Sequence, residues 1–167
     1  NRKAELHMMD LELFAVLTAA KLGYPAEELD KMWKGILINQ FHDILPGSSI
    51  HEVYEVTKAE YAALEEKIAK LQAERIALLA GEGDGVTVFN TKGFVSDEAV
   101  CLGDADYAAL KDADGTLYPV QQTACGAVAY VKNLPAKGWK TLAPVKAEAP
   151  AAPFVFDGDR VLETPYY

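Results

Sequence analysis

His42 and Asp43 are the residues of this chain best equipped for chemistry. They stand side by side in Asn39-Gln40-Phe41-His42-Asp43-Ile44-Leu45-Pro46-Gly47-Ser48-Ser49-Ile50. An imidazole nitrogen can ligate zinc, and a neighbouring carboxylate can accept hydrogen bonds from ligand hydroxyls. Each residue also has an ordinary reading: His42 as a helix-end histidine favoured by the dipole, Asp43 as a cap of the following loop. The other histidines, His7 and His51, read as solvent-facing or interhelical. Ser48 and Ser49 read as structural caps, because neither has a base beside it to activate a hydroxyl. Cys101 and Cys125 form no metal-type pair; a disulfide between them and two plain buried thiols both remain open.

Three helices have to position the His-Asp pair. From about Arg2 to Leu22, Leu6, Met9, Leu13, Leu17 and Ala20 recur at spacings of three and four, the period of one helical face. Gly23 ends that helix. Pro25 with Glu27 and Glu28 opens a second, since proline and acidic residues suit a first helical turn. It carries Leu29, Met32, Trp33, Ile36 and Leu37 towards His42. Ser49-Ile50-His51-Glu52 fits a capping box that opens a third helix, about 30 residues and 45 Å long, running to Ala80. Its apolar series is Ile50, Val53, Tyr54, Tyr61, Leu64, Ile68, Leu71 and Leu78, and Glu60, Glu65, Glu66, Lys67 and Lys70 read as a solvated face. Trp33, Tyr54, Tyr61 and Trp139 read as core or interface aromatics.

Composition shifts at Gly81-Glu82-Gly83-Asp84-Gly85, a hinge. Short β-rich runs follow at 86–89, 95–102, 117–123 after an Asp114-Gly115 turn, 127–131, 139–145 and 154–156. The Ala- and Pro-rich stretch 147–153 reads as a loop. The fold class expected is α+β: a three-helix bundle over 1–81, then part of a β-sandwich-like domain over 85–167.

Half of the 167 residues are hydrophobic, enough for a core, and the formal charge is −9 with a pI of about 4.8. The acidity is spread over both halves, so nucleic acid and anionic membrane are poor partners. No apolar run approaches the roughly 20 residues needed to span a bilayer. The chain opens on Asn1-Arg2-Lys3 without a signal peptide and without Met, which suggests an excised fragment.

The twelve residues around His42 resemble the signature segment of glycoside hydrolase family 38, the retaining α-mannosidases. The resemblance extends along nearly all of the chain. Asn1-Arg2-Lys3-Ala4-Glu5 is similar to the start of the family's helical region. Trp33 and Leu37 sit upstream of the motif as in bacterial and cytosolic-type members. Val88-Phe89-Asn90, Asp112-Ala113-Asp114-Gly115 with Pro119-Val120-Gln121, Leu134-Pro135-Ala136-Lys137-Gly138-Trp139 and Val161-Leu162-Glu163-Thr164-Pro165-Tyr166-Tyr167 resemble strands of its β-region. Many members have His-His-Asp at the motif, whereas Phe41 stands first here.

The resemblance implies that this chain is the middle helical bundle plus the start of the β-region of a cytoplasmic α-mannosidase. It implies His42 as the one zinc ligand the bundle contributes and Asp43 as a contact to mannose hydroxyls. The cofactor expected in the intact enzyme is zinc or another divalent metal, with none bound tightly by this fragment. The implied partners are a mannose-containing oligosaccharide and a missing N-terminal barrel, which holds the other ligands and both catalytic carboxylates. No catalytic residue is therefore expected here, and the fragment alone should be inert. A retaining glycosidase needs two carboxyl groups roughly 5 Å apart, and a catalytic zinc typically needs three protein ligands. The competing reading is a non-enzymatic helical interaction module with an appended β-domain, in which His-Asp is incidental.

Overall fold

The computed structural model describes residues 1–124 and 126–146 together with the backbone of strands 155–156 and 162–163. Cys125, the loop expected at 147–153, Phe154 and the rest of 161–167 lie outside the described residues. The chain forms two compact units, with the boundary between Glu82 and Gly83.

The first unit contains three helices: α1 (Arg2–Leu22), α2 (Ala26–Ile38) and α3 (His51–Ala80). Pro25 occupies the position before α2, with Glu27 and Glu28 in its first turn. At the end of α3, Gly81 takes a φ of 73° and returns its N–H to the Ala77 carbonyl, a backbone geometry that favours glycine. The helices share one core of Ala4, Met8, Leu11, Ala15, Leu29, Met32, Ile36 and Ile68, with Trp33, Tyr61, Leu64 and Leu71 packed against it. Fully burying one such Leu, Ile or Met side chain contributes roughly 1.5–3 kcal/mol. Two side-chain bonds tie the helices across that core. The Trp33 indole N–H donates to Glu12 at 2.8 Å, and Gln72 donates to the His7 carbonyl at 2.8 Å.

The inward face of α1 differs from the one the sequence suggests. Ala4, Met8, Leu11, Phe14, Ala15 and Thr18 are buried, whereas Leu6, Met9, Val16 and Leu17 are 41–62% exposed. Both series keep helical spacing, and the inner one hides behind two alanines and a threonine. The Thr18 hydroxyl is satisfied within the helix by the Phe14 carbonyl at 2.7 Å, so its burial leaves no polar group unpaired. The predicted solvated face of α3 is also partly interior in role. Glu65 pairs with His7 of α1 at 2.6 Å, and Glu60 accepts from Asn39 at 2.8 Å.

The second unit is a six-stranded antiparallel sheet in the order β1-β6-β3-β4-β5-β2. Its strands are β1 (Val86–Asn90), β2 (Ser96–Cys101), β3 (Ala109–Lys111), β4 (Leu117–Thr123), β5 (Gly126–Leu134) and β6 (Gly138–Val145). A separate pair is formed by β7 (Val155–Phe156) and β8 (Leu162–Glu163). Val88, Leu110, Tyr118, Ala129, Val131, Leu134 and Leu142 form one cluster. One sheet supplies every member of that core, so it curls around its own interior and is nearly closed. Asn90, buried, bridges the end of β1 to β5 by donating to the Leu134 and Pro135 carbonyls at 3.2 and 3.1 Å.

The central strand β3 is absent from the sequence reading. Its three residues, Ala-Leu-Lys, favour helices and are too few to show alternation. Tertiary pairing with β4 and β6 makes them a strand. The turn after it does follow the sequence. Asp112 Oδ1 accepts from the Asp114 and Thr116 N–H groups at 3.1 and 2.9 Å, and Gly115 takes a φ of 87°.

Candidate metal and sugar-binding loop

α2 stops at Ile38 and hands the chain to a loop over residues 39–50. The Asn39 N–H still closes on the Gly35 carbonyl at 3.3 Å, and the Asn39 side chain folds back to the same carbonyl at 3.0 Å. Asn39 is 3% exposed, and its amide also donates to Glu60 of α3. Gln40 donates to Glu5 of α1, and the Tyr61 hydroxyl donates to Asn1, whose own amide lies 3.5 Å from the Asn39 carbonyl. Asn39 and Gln40 of the loop thus meet Asn1 and Glu5 at the start of α1 and Glu60 of α3, with Tyr61 of α3 holding Asn1. Burial first, then Glu5 and Glu60, raise the Tyr61 pKa, which keeps its phenol protonated and able to donate. A cavity of about 360 Å³ between α2 and α3 touches Asn39, Glu60 and Tyr61, but neither His42 nor Asp43 lines it.

Beyond the anchor the chain makes tight turns. The Ile44 and Leu45 N–H groups return to the Phe41 carbonyl at 2.9 and 3.0 Å, and the Gly47 N–H to the Ile44 carbonyl at 3.2 Å. Gly47 takes a φ of 89° directly after Pro46, a pairing that reverses the chain before α3. The predicted capping box does not form. Ile50, not Ser49, precedes the helix, and no side chain caps it. The Ser49 hydroxyl donates instead to the Asp43 carbonyl at 2.8 Å, with Ser48 at 3.3 Å from the same oxygen. A loop carbonyl has taken the hydroxyl that the local motif would have spent on the helix end.

On this frame His42 and Asp43 point outward. Their side chains are 76% and 57% exposed, with His42 Nε2 3.5 Å from Asp43 Oδ2. The Phe41 ring packs tilted against the imidazole, centroids 4.1 Å apart. Flanking them in the chain are exposed apolar side chains, Leu37, Ile38, Phe41, Leu45 and Ile50, each more than half accessible. His7 is interhelical, as Glu65 shows, and His51 is 79% exposed beside Glu55. Cys101 is a free, exposed thiol.

The donor set tests whether a metal fits. Among the described residues no three His, Cys, Asp or Glu side chains converge on one point. The loop offers one ring nitrogen and one carboxylate, open to solvent and held on a fixed backbone. Such a pair is too small to close a zinc site and suits completing one whose other donors lie elsewhere. The sequence singled out His42 and Asp43 but missed Asn39 and Gln40, which anchor the loop, and Tyr54, whose hydroxyl accepts the Ser49 N–H at 2.9 Å. Adjacency to the pair was the only available signal for the first two.

The comparisons with known proteins bear on the same segment. The alpha mannosidase middle domain family matches residues 1–79. Over 108 residues the chain is 34% identical to alpha-mannosidase 2C1 of Homo sapiens, an alignment covering 61% of this chain and 10% of that protein. It is 38% identical over 58 residues to the alpha-mannosidase of Saccharomyces cerevisiae, covering 32% and 5%. Among solved structures, an alpha-mannosidase from Enterococcus faecalis V583 superposes with a TM-score of 0.56 at 16% identity, over 93% of this chain and 24% of that one; this likeness is one of fold.

The described chain is thus three helices followed by a curled antiparallel sheet, with an exposed His-Asp pair on the loop before the longest helix. Together these matches support a fragment of an α-mannosidase of glycoside hydrolase family 38, the family match itself covering residues 1–79. The chain spans about a tenth of the length of the first curated relatives it matches.

Proposed function

We propose that this chain is the middle portion of a zinc-dependent retaining α-mannosidase that hydrolyses α-mannosidic bonds in oligosaccharides or N-glycans. The helices of residues 1–81 act as a bundle, and 85–167 begin a sandwich-like β-region. The intact protein is cytoplasmic, and a barrel elsewhere in it supplies the catalytic carboxylates. The observation that carries this reading is the His42–Asp43 pair, exposed on a braced loop within a segment matched to an alpha mannosidase middle domain.

In this reading the division of labour within the loop is simple. His42 lends a ring nitrogen to the metal, and Asp43 accepts hydrogen bonds from mannose hydroxyls. Asn39 and Gln40 hold the backbone that aims both. Zinc, when bound, supplies a Lewis-acidic hold on sugar hydroxyls. The exposed apolar collar of Leu37, Ile38, Phe41, Leu45 and Ile50 is the surface that the barrel covers, excluding water around the pair. That contact also accounts for the one feature that would favour a non-enzymatic interaction module.

The test is an aryl α-mannoside assay of the intact protein and of this chain alone. The intact protein should turn over substrate, lose activity to a chelator and regain it with zinc, while the chain alone stays inactive. Hydrolysis by the chain alone, or an intact protein indifferent to chelation, would contradict the proposal.

A further inference from the structure

We infer that Tyr54 is the positioning residue for the His42–Asp43 loop, an inference that rests on the metal and sugar roles proposed for that pair. His42 and Asp43 are exposed, and the contacts at hand are their own 3.5 Å approach and the Phe41 ring. Their aim is therefore set by the backbone that carries them. That backbone is held on its upstream side by Asn39 and Gln40. On its downstream side the strut is Tyr54.

Tyr54 projects from the first turn of α3, the longest helix of the chain. Its hydroxyl accepts the Ser49 N–H at 2.9 Å and lies 3.4 Å from both the Asp43 and the Ile44 carbonyl oxygens. One phenol thus meets both ends of the turn, accepting the Ser49 N–H bond and directing its own O–H between two carbonyls. The Ser49 and Ser48 hydroxyls converge on the same Asp43 carbonyl at 2.8 and 3.3 Å. A serine hydroxyl rotates freely, whereas a tyrosine holds its oxygen at the end of a stiff ring with two torsions. Tyr54 also belongs to a different element from the pair it supports. α3 is fixed independently by Ile68 in the core. Loop position is thereby referred to a rigid helix, which is what a site completed from a second domain requires, since small misplacements cost rate.

The experiment compares the intact zinc-loaded enzyme with its Tyr54→Phe and His42→Ala variants. Three quantities are read: the rate of zinc release to excess chelator, kcat and KM on an aryl α-mannoside, and Tm. Tyr54→Phe keeps the ring and removes only the hydroxyl. The expected result is zinc release about tenfold faster, in line with the 10–100-fold cost of removing groups that orient a ligand, with kcat falling more than KM rises and Tm unchanged. Ser49→Ala should show a smaller shift in the same direction. Wild-type release and kcat in Tyr54→Phe, beside a His42→Ala variant that has lost metal and turnover, overturns the role of Tyr54 alone. A lowered Tm with release and kcat unchanged at temperatures where the variant is folded assigns Tyr54 to stability and also overturns it. Normal metal content and turnover in His42→Ala overturns the reading beneath it.

Discussion

Asp43 combines a structural backbone carbonyl with the carboxylate proposed to meet the sugar. Its backbone carbonyl gathers the Ser48, Ser49 and Tyr54 hydroxyls, while its carboxylate is turned to solvent beside His42. An Asp43→Asn change in the intact enzyme keeps the carbonyl and removes only the charge. It should therefore retain metal and fold. Catalytic efficiency should fall about 10- to 150-fold, the equivalent of roughly 1.5–3 kcal/mol for a lost charged hydrogen bond to substrate. Unchanged kcat/KM would restrict Asp43 to its backbone role. The sequence named this pair through residue type together with the twelve-residue segment around it, which resembles the family signature. It did not name Tyr54 or Asn39, because their work depends on a loop closing back onto α3.

A second residue-scale prediction concerns a buried carboxylate, Asp112. Asp112 accepts from the Tyr118 hydroxyl at 2.8 Å and from Lys140 at 3.3 Å, and Lys140 also reaches the Tyr118 oxygen at 3.0 Å. The Tyr118 bond first, then backbone and lysine contacts working against burial, hold the Asp112 carboxyl below its usual range. The Tyr118 bond first raises Lys140, and burial first raises Tyr118. A depressed acid contributes stability above its unfolded pKa and loses it as pH falls through the folded value. A raised base or phenol contributes below its unfolded pKa and loses it as pH rises through the folded value. The network is thus fully effective between about pH 5 and 9. The Tm gap between wild type and Asp112→Asn should be constant across that window and shrink below about pH 4. A gap that widens in acid would reverse the assigned direction.

Helices were legible as elements and less so as faces. α1, α2 and α3 fall where spacing, Pro25 and the glycines put them, and the Ser49 capping box is the local motif that failed. α1 is apolar on two sides, and only packing reveals that the Met8–Leu11–Ala15 side is inward. Leu11→Ala should cost about 2–5 kcal/mol in this chain, while Leu6→Ala and Met9→Ala should stay within about 0.5 kcal/mol. Chemical denaturation reads the ranking, and the reverse order would restore the face the sequence favours. β3 was illegible for the opposite reason: its signal lies in its neighbours. Leu110, fully buried in that strand, should cost about 2–5 kcal/mol when cut to alanine, by the same denaturation assay. A cost near zero would remove β3 from the core.

Among the described residues no three metal-type side chains gather into a site. Titration calorimetry of this chain with zinc should show no submicromolar binding, since one ring nitrogen and one carboxylate cannot close a coordination sphere. Submicromolar binding would mean a metal site other than the loop. The family and the alternation of helical and β units were readable from sequence because motifs and composition are local. Under the proposed function, completing the centre takes donors that no described residue supplies. The central claim is that His42 is this segment's contribution to that centre, and the metal content of the intact enzyme tests it most directly. Zinc measured by mass spectrometry should be stoichiometric in wild type and largely lost in His42→Ala, with the variant folded and turnover abolished. Stoichiometric zinc and normal turnover in the folded variant would contradict it.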